Sequence, residues 1–439
     1  MQDITYIIAR KSITAGAFVL LLGASSCSFF NIEEVKDPNN EGIDAVLANA
    51  SQSQINGLAV GTEASMRLGF VSGYDQVVGT LGREVIVLNQ NESRWYTTLL
   101  GTRALDNTAF YNAVYPGFAR AGRAARIFRQ SADNATTAVL TDAQKQGVRG
   151  FTHTVEAFSK LYQLNLMGTN GIRVDVENYL SPGPFVTEAE ALTNIKQLLD
   201  QGATELDAAG ATFGFTLSAG YAGFNTPATY KRFNRALAAR VDIYRKDWAS
   251  ALQNLGQSFY NPTGDLFAGP KLVFNPGSSN DAPNPDYQPQ DFSSASVVTV
   301  QKNFVSDAEP NDARVPAKVH QRTTPRVLGG LSQSYEPVLY KSQTDPIGII
   351  RNEELILISA EAHAQRNELD AALADINVVR TRSGRLPALP SGLAQAKLIR
   401  QVLKQRRYSL FYEGQRLVDV RRYGLLDSLP KDLPTHKVY

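Results

Sequence analysis

Two stretches of this chain, 238–252 and 359–373, lie on one another without a gap. Each carries small residues on one helix (Ala238 and Ala239; Ala360, Ala362 and Ala364) and then a polar break. An acidic residue followed by a bulky one comes next (Asp247-Trp248; Glu368-Leu369), then an Ala-Leu step (Ala251-Leu252; Ala372-Leu373). The pattern predicts two antiparallel helices packed through alanine, because small side chains let helix axes approach to about 8–10 Å. One such pair cannot bury both of its faces. It needs further helices stacked upon it, which pushes the whole chain toward helix-on-helix packing.

Helix pairs of this kind fit a tetratricopeptide-like unit and, equally, a generic alanine-rich hairpin. Apolar spacing near the 3.6 period predicts more helices over 43–66, 108–131, 142–167 and 187–208. Thr141-Asp142 supply cap candidates for the third, with Gly168 just past its end. Thr187 followed by Glu190 is a capping box. Toward the C-terminus, Asn352 is the expected cap of one helix. A second spans 370–382, stopped by Gly384 and Pro387, and a third runs from about 391 to 412.

Between the repeated segments, 260–345 is dense in Pro, Asn, Ser and Gly, which stop helices. So long a stretch in a compact domain is usually functional. It carries Phe267, Phe274, Tyr287, Phe292 and Phe304, more aromatics than a spacer needs. A short strand pair is expected between 272–274 and 297–300.

The N-terminus has the layout of a secretory signal: Arg10 and Lys11, an apolar stretch through 15–22, then small residues up to Cys27. The apolar run is shorter than the roughly 20 residues a spanning helix needs. Cys27 is the only cysteine and stands where a bacterial lipobox places the lipidated residue. An ordinary signal peptide with an incidental cysteine is the alternative. The expected organisation is a removed signal over 1–26, a lipidated linker over 27–42 and a single helical domain over 43–439. With the thiol lipidated, stability has to come from a packed core. The net charge of +2 gives no electrostatic case for nucleic acid.

No metal-ligand spacing, P-loop, Gly-x-Ser-x-Gly or dinucleotide fingerprint is present, and His153, His320, His363 and His436 are scattered. No catalytic residue, metal or cofactor is assigned. A binding site is easier to argue. Sugars present apolar ring faces and hydroxyl edges, so they call for flat aromatics flanked by amide, carboxylate or guanidinium groups. Asn91, Arg94, Trp95 and Tyr96 supply both kinds in one non-helical stretch, with Tyr74 before it and Tyr287 as a second edge. The competing reading makes Trp95 a core residue and Tyr287 an incidental loop residue.

Several segments resemble the RagB/SusD outer-membrane nutrient-binding lipoproteins. Residues 351–362, with Asn352, Glu353, Glu354, Leu355, Ala360, Glu361 and Ala362, resemble that family's N-E-x-L-L-x-x-A-E-A helix. Residues 375–384 resemble its I-N-x-V-R-x-R-A-G segment, and 406–424 its E-R-R-x-E-L-x-F-E-G-x-R-x-x-D-x-R-R-x-G run. Gln405 and Ser409 stand where the family usually has glutamates. The resemblance implies a mainly α, SusD-like scaffold of tetratricopeptide-like helix pairs, with long ligand-face loops and minor β. It implies a surface-exposed, lipid-anchored outer-membrane protein that captures an oligosaccharide or related nutrient. Its partner would be a SusC-type TonB-dependent transporter, with no chemistry of its own. A secreted helical glycoside hydrolase and a periplasmic tetratricopeptide-type scaffold are the alternatives. Glu413, Arg416, Asp419 and Arg422 sit at i,i+3 spacing, which predicts a structural ion-pair ladder.

Overall fold

The computed structural model describes residues 43–178, 180–278 and 281–439. Cys27 and the signal and linker expected around it lie outside the described residues. The chain divides into a short unit ending at Ala48 and a unit over Asn49–Tyr439. Helix α1 (Ile43–Asn49) spans the division; every element below belongs to the second unit.

The helices follow one another as packed neighbours. They are α2 (Gln52–Met66), α3 (Leu68–Val71), α4 (Tyr74–Leu81), α5 (Val114–Asn134), α6 (Asp142–Met167), α7 (Glu188–Asp207), α8 (Pro227–Tyr244) and α9 (Trp248–Gly256). After two short helices, α10 (Lys302–Ser306) and α11 (Arg314–Lys318), come α12 (Asn352–Gln365), α13 (Leu369–Arg382), α14 (Gln395–Ser409) and α15 (Arg416–Arg422). Packing runs from α2 to α5, on through α6, α7, α8 and α9, then to α12, α13 and α14. The expected mainly α architecture is therefore present, each pair burying the face its neighbour exposes.

The repeat is real at the level of backbone conformation. α8–α9 and α12–α13 are the two alanine-rich hairpins. Lys246 and Asn367, at the same place in the two segments, both adopt left-handed φ, +60° and +62°. The next amide bonds back in the same way in each, Asp247 N to Asp242 O and Glu368 N to His363 O, both 2.9 Å. The two hairpins also pack on each other. Elsewhere glycine replaces alanine as the close-approach residue. α6 and α7 meet at Gly150 and Gly202, where a Cβ on Gly150 would lie 2.8 Å from the Gly202 carbonyl oxygen.

Three sequence expectations change. The 43–66 helix is two helices, because Ser51 caps α2 through a capping box with Gln54. α12 begins at Asn352 itself, with Arg351 before it at the cap position, and the Asn352 side chain accepts the Asn261 amide at 2.9 Å. The expected strand pair is absent. β4 (Lys271–Leu272) pairs with β8 (Ile347–Gly348), and β5 (Ser296–Val300) pairs antiparallel with β1 (Val85–Asn89), Val85 opposite Val300. The apolar run Val85-Ile86-Val87-Leu88 is buried and offers β5 a better partner than the proline-flanked 272–274. A long hairpin, β6 (Val319–Leu328) with β7 (Leu331–Pro337), fills part of the expected loop region. A last pair, β2 (Ile172–Arg173) with β3 (Phe185–Val186), follows α6.

Candidate functional site

The densest charge chemistry lies where the C-terminal motifs meet, and nearly all of it is internally paired. From α12, Glu354 takes Arg240 of α8 at 2.6 Å, with both side chains buried. Glu361 takes Arg422 at 2.6 Å, Arg422 takes Asp419 at 2.8 Å, and Asp419 takes Arg406 at 2.7 Å. Arg351 binds both Glu353 and Glu413. Burial raises the Glu353 carboxyl, but Arg351 and Lys318 outweigh it and hold it down at about 2. Ser409, standing where a glutamate is usual, donates to Glu353 at 2.6 Å and accepts from Arg314 at 3.0 Å. Such a lattice fixes helix packing and offers no free acid or base.

The expected ladder forms only at its last rung. Asp419 and Arg422 pair across one helical turn, but Glu413 pairs with Arg351 and Lys318 instead of Arg416. The reason is local: α15 starts at Arg416. Glu413 sits in the preceding turn, where Tyr412 and Gly414 have φ of +61° and +72°, so helical spacing does not apply to it. Arg416 has no carboxylate at ion-pair distance among the described residues; the opposite charge that acts on it most is Glu84.

A second buried group is acidic. Asp75 at the start of α4 and Asp286 in the 284–288 loop are buried close enough to act on each other's charge, with Tyr412 beside Asp286. Burial and mutual repulsion push Asp75 well above the usual carboxylate range. Burial also raises Asp286. Glu84 is pushed up by burial to about 8 despite Arg416 nearby. Two carboxyls buried together away from the surface are not a hydrolytic pair, which needs an open cleft between them. The 284–288 loop is held to α4 by the bond from Gln76 Nε2 to the Pro285 carbonyl at 3.0 Å.

The sequence-predicted binding residues separate into three groups. Tyr74 is fully buried, edge-on to Phe70, Phe118 and Tyr162, and has no surface for a ligand; it is a core residue. Tyr96 packs into the cluster of Ile86, Leu88, Leu100 and Leu331. Asn91 is exposed at the end of the β1 turn, and Tyr287 is half-buried on the opposite edge of β5. Arg94 and Trp95 sit in a single 3-10 turn, Ser93–Trp95. Trp95 is 8% exposed and stacks on Phe110 at 4.2 Å. Arg94 holds Glu92 at 2.6 Å and reaches Asp106 at 3.1 Å.

Asp106 leads to a feature the sequence did not reveal. A cleft of about 820 Å³ opens between the 99–116 segment, α4, the end of α6 and Arg421. Tyr111, Tyr115, Phe185 and Tyr439 give it aromatic surface; Asn107, Asn112 and Asn170 give it amides. Phe185 is 49% exposed and Leu105 47%, unusually open for such side chains. Asp106 is the one carboxylate in the described lining. It is already held by the Thr108 amide at 2.8 Å, the Thr108 hydroxyl at 2.7 Å and Arg94. The Asp106 amide in turn donates to the Tyr111 hydroxyl, which fixes that ring on the cleft wall. Arg94 thus braces the lip, and Trp95 backs it through Phe110. The aromatics come from three distant segments, so no single stretch of sequence could announce the cleft.

One group of described residues has the side chains to hold a cation: Asp291, His320 and Glu336. The two Glu336 oxygens, however, take Arg322 and the Asp291 amide, and Asp291 takes the Thr323 amide at 2.8 Å. The group reads as a clamp between the 291 turn and the hairpin. Among the described residues no helix is long and apolar enough to cross a membrane.

This is a helix-pair scaffold with an open aromatic cleft. Solved structures share the fold. A SusD superfamily protein from Bacteroides vulgatus is 17% identical over 86% of this chain and 89% of its own, with TM-score 0.64. A SusD-like carbohydrate binding protein from the same organism is 16% identical over 85% and 83%, with TM-score 0.62. A SusD superfamily protein from Bacteroides thetaiotaomicron is 15% identical over 87% and 91%, with TM-score 0.64. No curated protein matches the chain. Residues 320–437 match the sequence model of the SusD family. The C-terminal part of the chain is thus similar in sequence to the SusD family, and the fold is shared with the solved structures above.

Proposed function

We propose that this protein captures an oligosaccharide or related nutrient without altering it and passes it to a SusC-type TonB-dependent transporter. In this reading a lipid on Cys27 anchors it to the outer membrane, facing outward. The observation that carries capture is the cleft of about 820 Å³, with four aromatic side chains, several amides and only one, already occupied, carboxylate in its described lining. Aromatic faces take the apolar faces of sugar rings, and amides take the hydroxyls. A retaining or inverting hydrolase would need a second carboxyl across the cleft. The similarity of residues 320–437 to the SusD family model supports the transporter and the anchor.

The test is calorimetry with a panel of oligosaccharides against the wild type and the pair Tyr111→Ala, Tyr115→Ala. The pair is expected to lose at least about tenfold in affinity with an unchanged melting temperature, tenfold being about 1.4 kcal/mol. Unchanged affinity would move the site to the face carrying Asn91 and Tyr287, where Tyr287→Ala then becomes the deciding variant. Cys27→Ser is expected to release the protein from membranes, and affinity capture from its own cells is expected to bring down a TonB-dependent transporter.

A further inference from the structure

Beside the cleft, and sharing Tyr115 and Pro116 with it, runs a second groove of about 300 Å³ between α5 and α6. Its walls carry Arg120, Arg123, Arg126, Lys160 and Arg173 against a single carboxylate, Glu156. Glu156 is 3% exposed and takes Arg126 at 3.1 Å and Arg129 at 2.7 Å. Lys160 lies close as well, so three cations face one anion. The Lys160 ammonium is itself buried, and its hydrogen-bond partner is a neutral amide, Asn194 Oδ1, at 3.1 Å. Burial lowers its pKa against the pull of Glu156 and Glu177.

The guanidinium groups of Arg120 and Arg173 do not restore the balance. Arg120 is exposed and has no acidic partner at ion-pair distance among the described residues. Arg173 donates to the Gly183 carbonyl and lies over the Phe185 ring at 4.8 Å. Neither contact cancels its charge. Arg173 also joins the two grooves, since Phe185 lines the cleft. Lys160 is the buried member of the set, and a buried cation without a full matching anion is costly. The more exposed guanidinium groups stand with it around an open groove whose other walls include the apolar Ala119, Val176 and Pro182.

We propose that this groove holds an anionic substituent, a carboxylate or a sulfate ester, on the sugar whose ring faces occupy the adjoining aromatic cleft. The inference rests on the capture reading and narrows it to acidic glycans. Guanidinium forks match the paired oxygens of either anion. The two chemistries are separated by experiment.

The experiment probes the full-length protein with an array of carboxylated and sulfated oligosaccharides, each beside its neutral counterpart. The strongest binders then go to calorimetry at low and high salt. Acidic glycans are expected to bind about tenfold or more tighter than their neutral counterparts, with the preference shrinking as salt screens it. Arg120→Glu, on an exposed position, should remove most of that preference and leave neutral binding within about twofold. Arg173→Gln, on the other wall, should act in the same direction. Whether carboxylated or sulfated members dominate names the substituent. Equal binding of acidic and neutral partners overturns the inference and leaves capture standing. So does an acidic preference that both variants leave intact, or a loss that falls equally on both classes. Silence across the whole array overturns both.

Discussion

Asp419 joins two buried arginines, taking Arg406 at 2.7 Å and Arg422 at 2.8 Å. Asp419→Ala would strand Arg406, which is 1% exposed and has no other carboxylate at ion-pair distance. The expected loss is about 3–5 kcal/mol, the cost of leaving a buried charge alone. Arg416→Ala, three residues away but unpaired, is expected to cost under about 1 kcal/mol. Urea titrations read both, as midpoint shifts at constant slope. Equal losses in the two variants would refute the distinction. Protons act on the same scale, in two opposing sets. Arg380 holds Glu309 at about 2, and Glu353 is held at about 2 by Arg351. Both are depressed, so their stabilisation is present above the unfolded value near 4.5 and is lost as pH falls toward 2. Asp75, Asp286 and Glu84 are raised, so the folded protein keeps protons that the unfolded chain has released by about pH 4 to 5. They draw stability down as pH climbs from there to about 8. The wild type is therefore expected to melt highest in mildly acid solution. Asp286→Asn should gain on the wild type at pH 8 by about 1–3 kcal/mol and gain little at pH 5. Melting curves across pH 3–9 check both limbs; an Asp286→Asn effect that is flat in pH would refute a raised Asp286.

At the scale of the element, what could be read in the sequence was whatever is fixed within a few residues. The Thr187–Glu190 capping box is present, with the Thr187 amide donating to Glu190 at 2.9 Å and the Glu190 amide to Thr187 at 3.3 Å. Thr187→Ala is expected to cost about 1 kcal/mol, seen as a small fall in melting temperature with ligand affinity unchanged, since the cap is exposed. An affinity change would mean that α7 reports on the cleft. The repeat was legible for the same local reason: alanine spacing and a turn residue forced into left-handed φ. The β6–β7 hairpin left a local signal too, Gly329-Gly330 with φ of +59° and +80°, the doubled positive φ that tight hairpin turns require. It was masked because β6 alternates exposed and half-buried positions and lies amid proline and serine. Strand partners were not legible, because β1 and β5 are separated by most of the helical scaffold and only burial selects the register. The ladder failed where helical spacing was extended across a turn. The candidate site was legible only in part. Arg94 and Trp95 do brace the cleft lip, but Tyr74 is core, since Phe70, Phe118 and Tyr162 close over it from helices that the sequence could not place beside one another.

For the whole unit over Asn49–Tyr439, the same long-range bonds decide how it unfolds. Arg83, just after α4, donates to the Lys437 carbonyl at 2.6 Å. Arg421 in α15 donates to the Asn165 carbonyl at the end of α6 at 2.9 Å. Arg240 in α8 is neutralised by Glu354 in α12, and Lys318 donates to the Tyr408 carbonyl at 3.0 Å. Each tie joins the N-terminal helices or the 260–345 segment to the C-terminal motifs. The nearest-neighbour stacking of helix pairs would by itself permit piecemeal unfolding, as in repeat arrays. Ties that span the stack make the pieces interdependent, because breaking the C-terminal part strands charges buried elsewhere. The protein is therefore expected to show one thermal transition, coincident by far-ultraviolet circular dichroism and by tryptophan fluorescence from Trp95 and Trp248, which report on opposite parts of the chain. A fragment ending at residue 345 should not fold, although it keeps six of the nine helices of the main stack, α2, α5, α6, α7, α8 and α9; it would leave Arg240 buried without Glu354 and the α9 face bare of α12. Two separated transitions, or a cooperative melt of the fragment, would show that the C-terminal motifs dock onto a scaffold already able to stand alone.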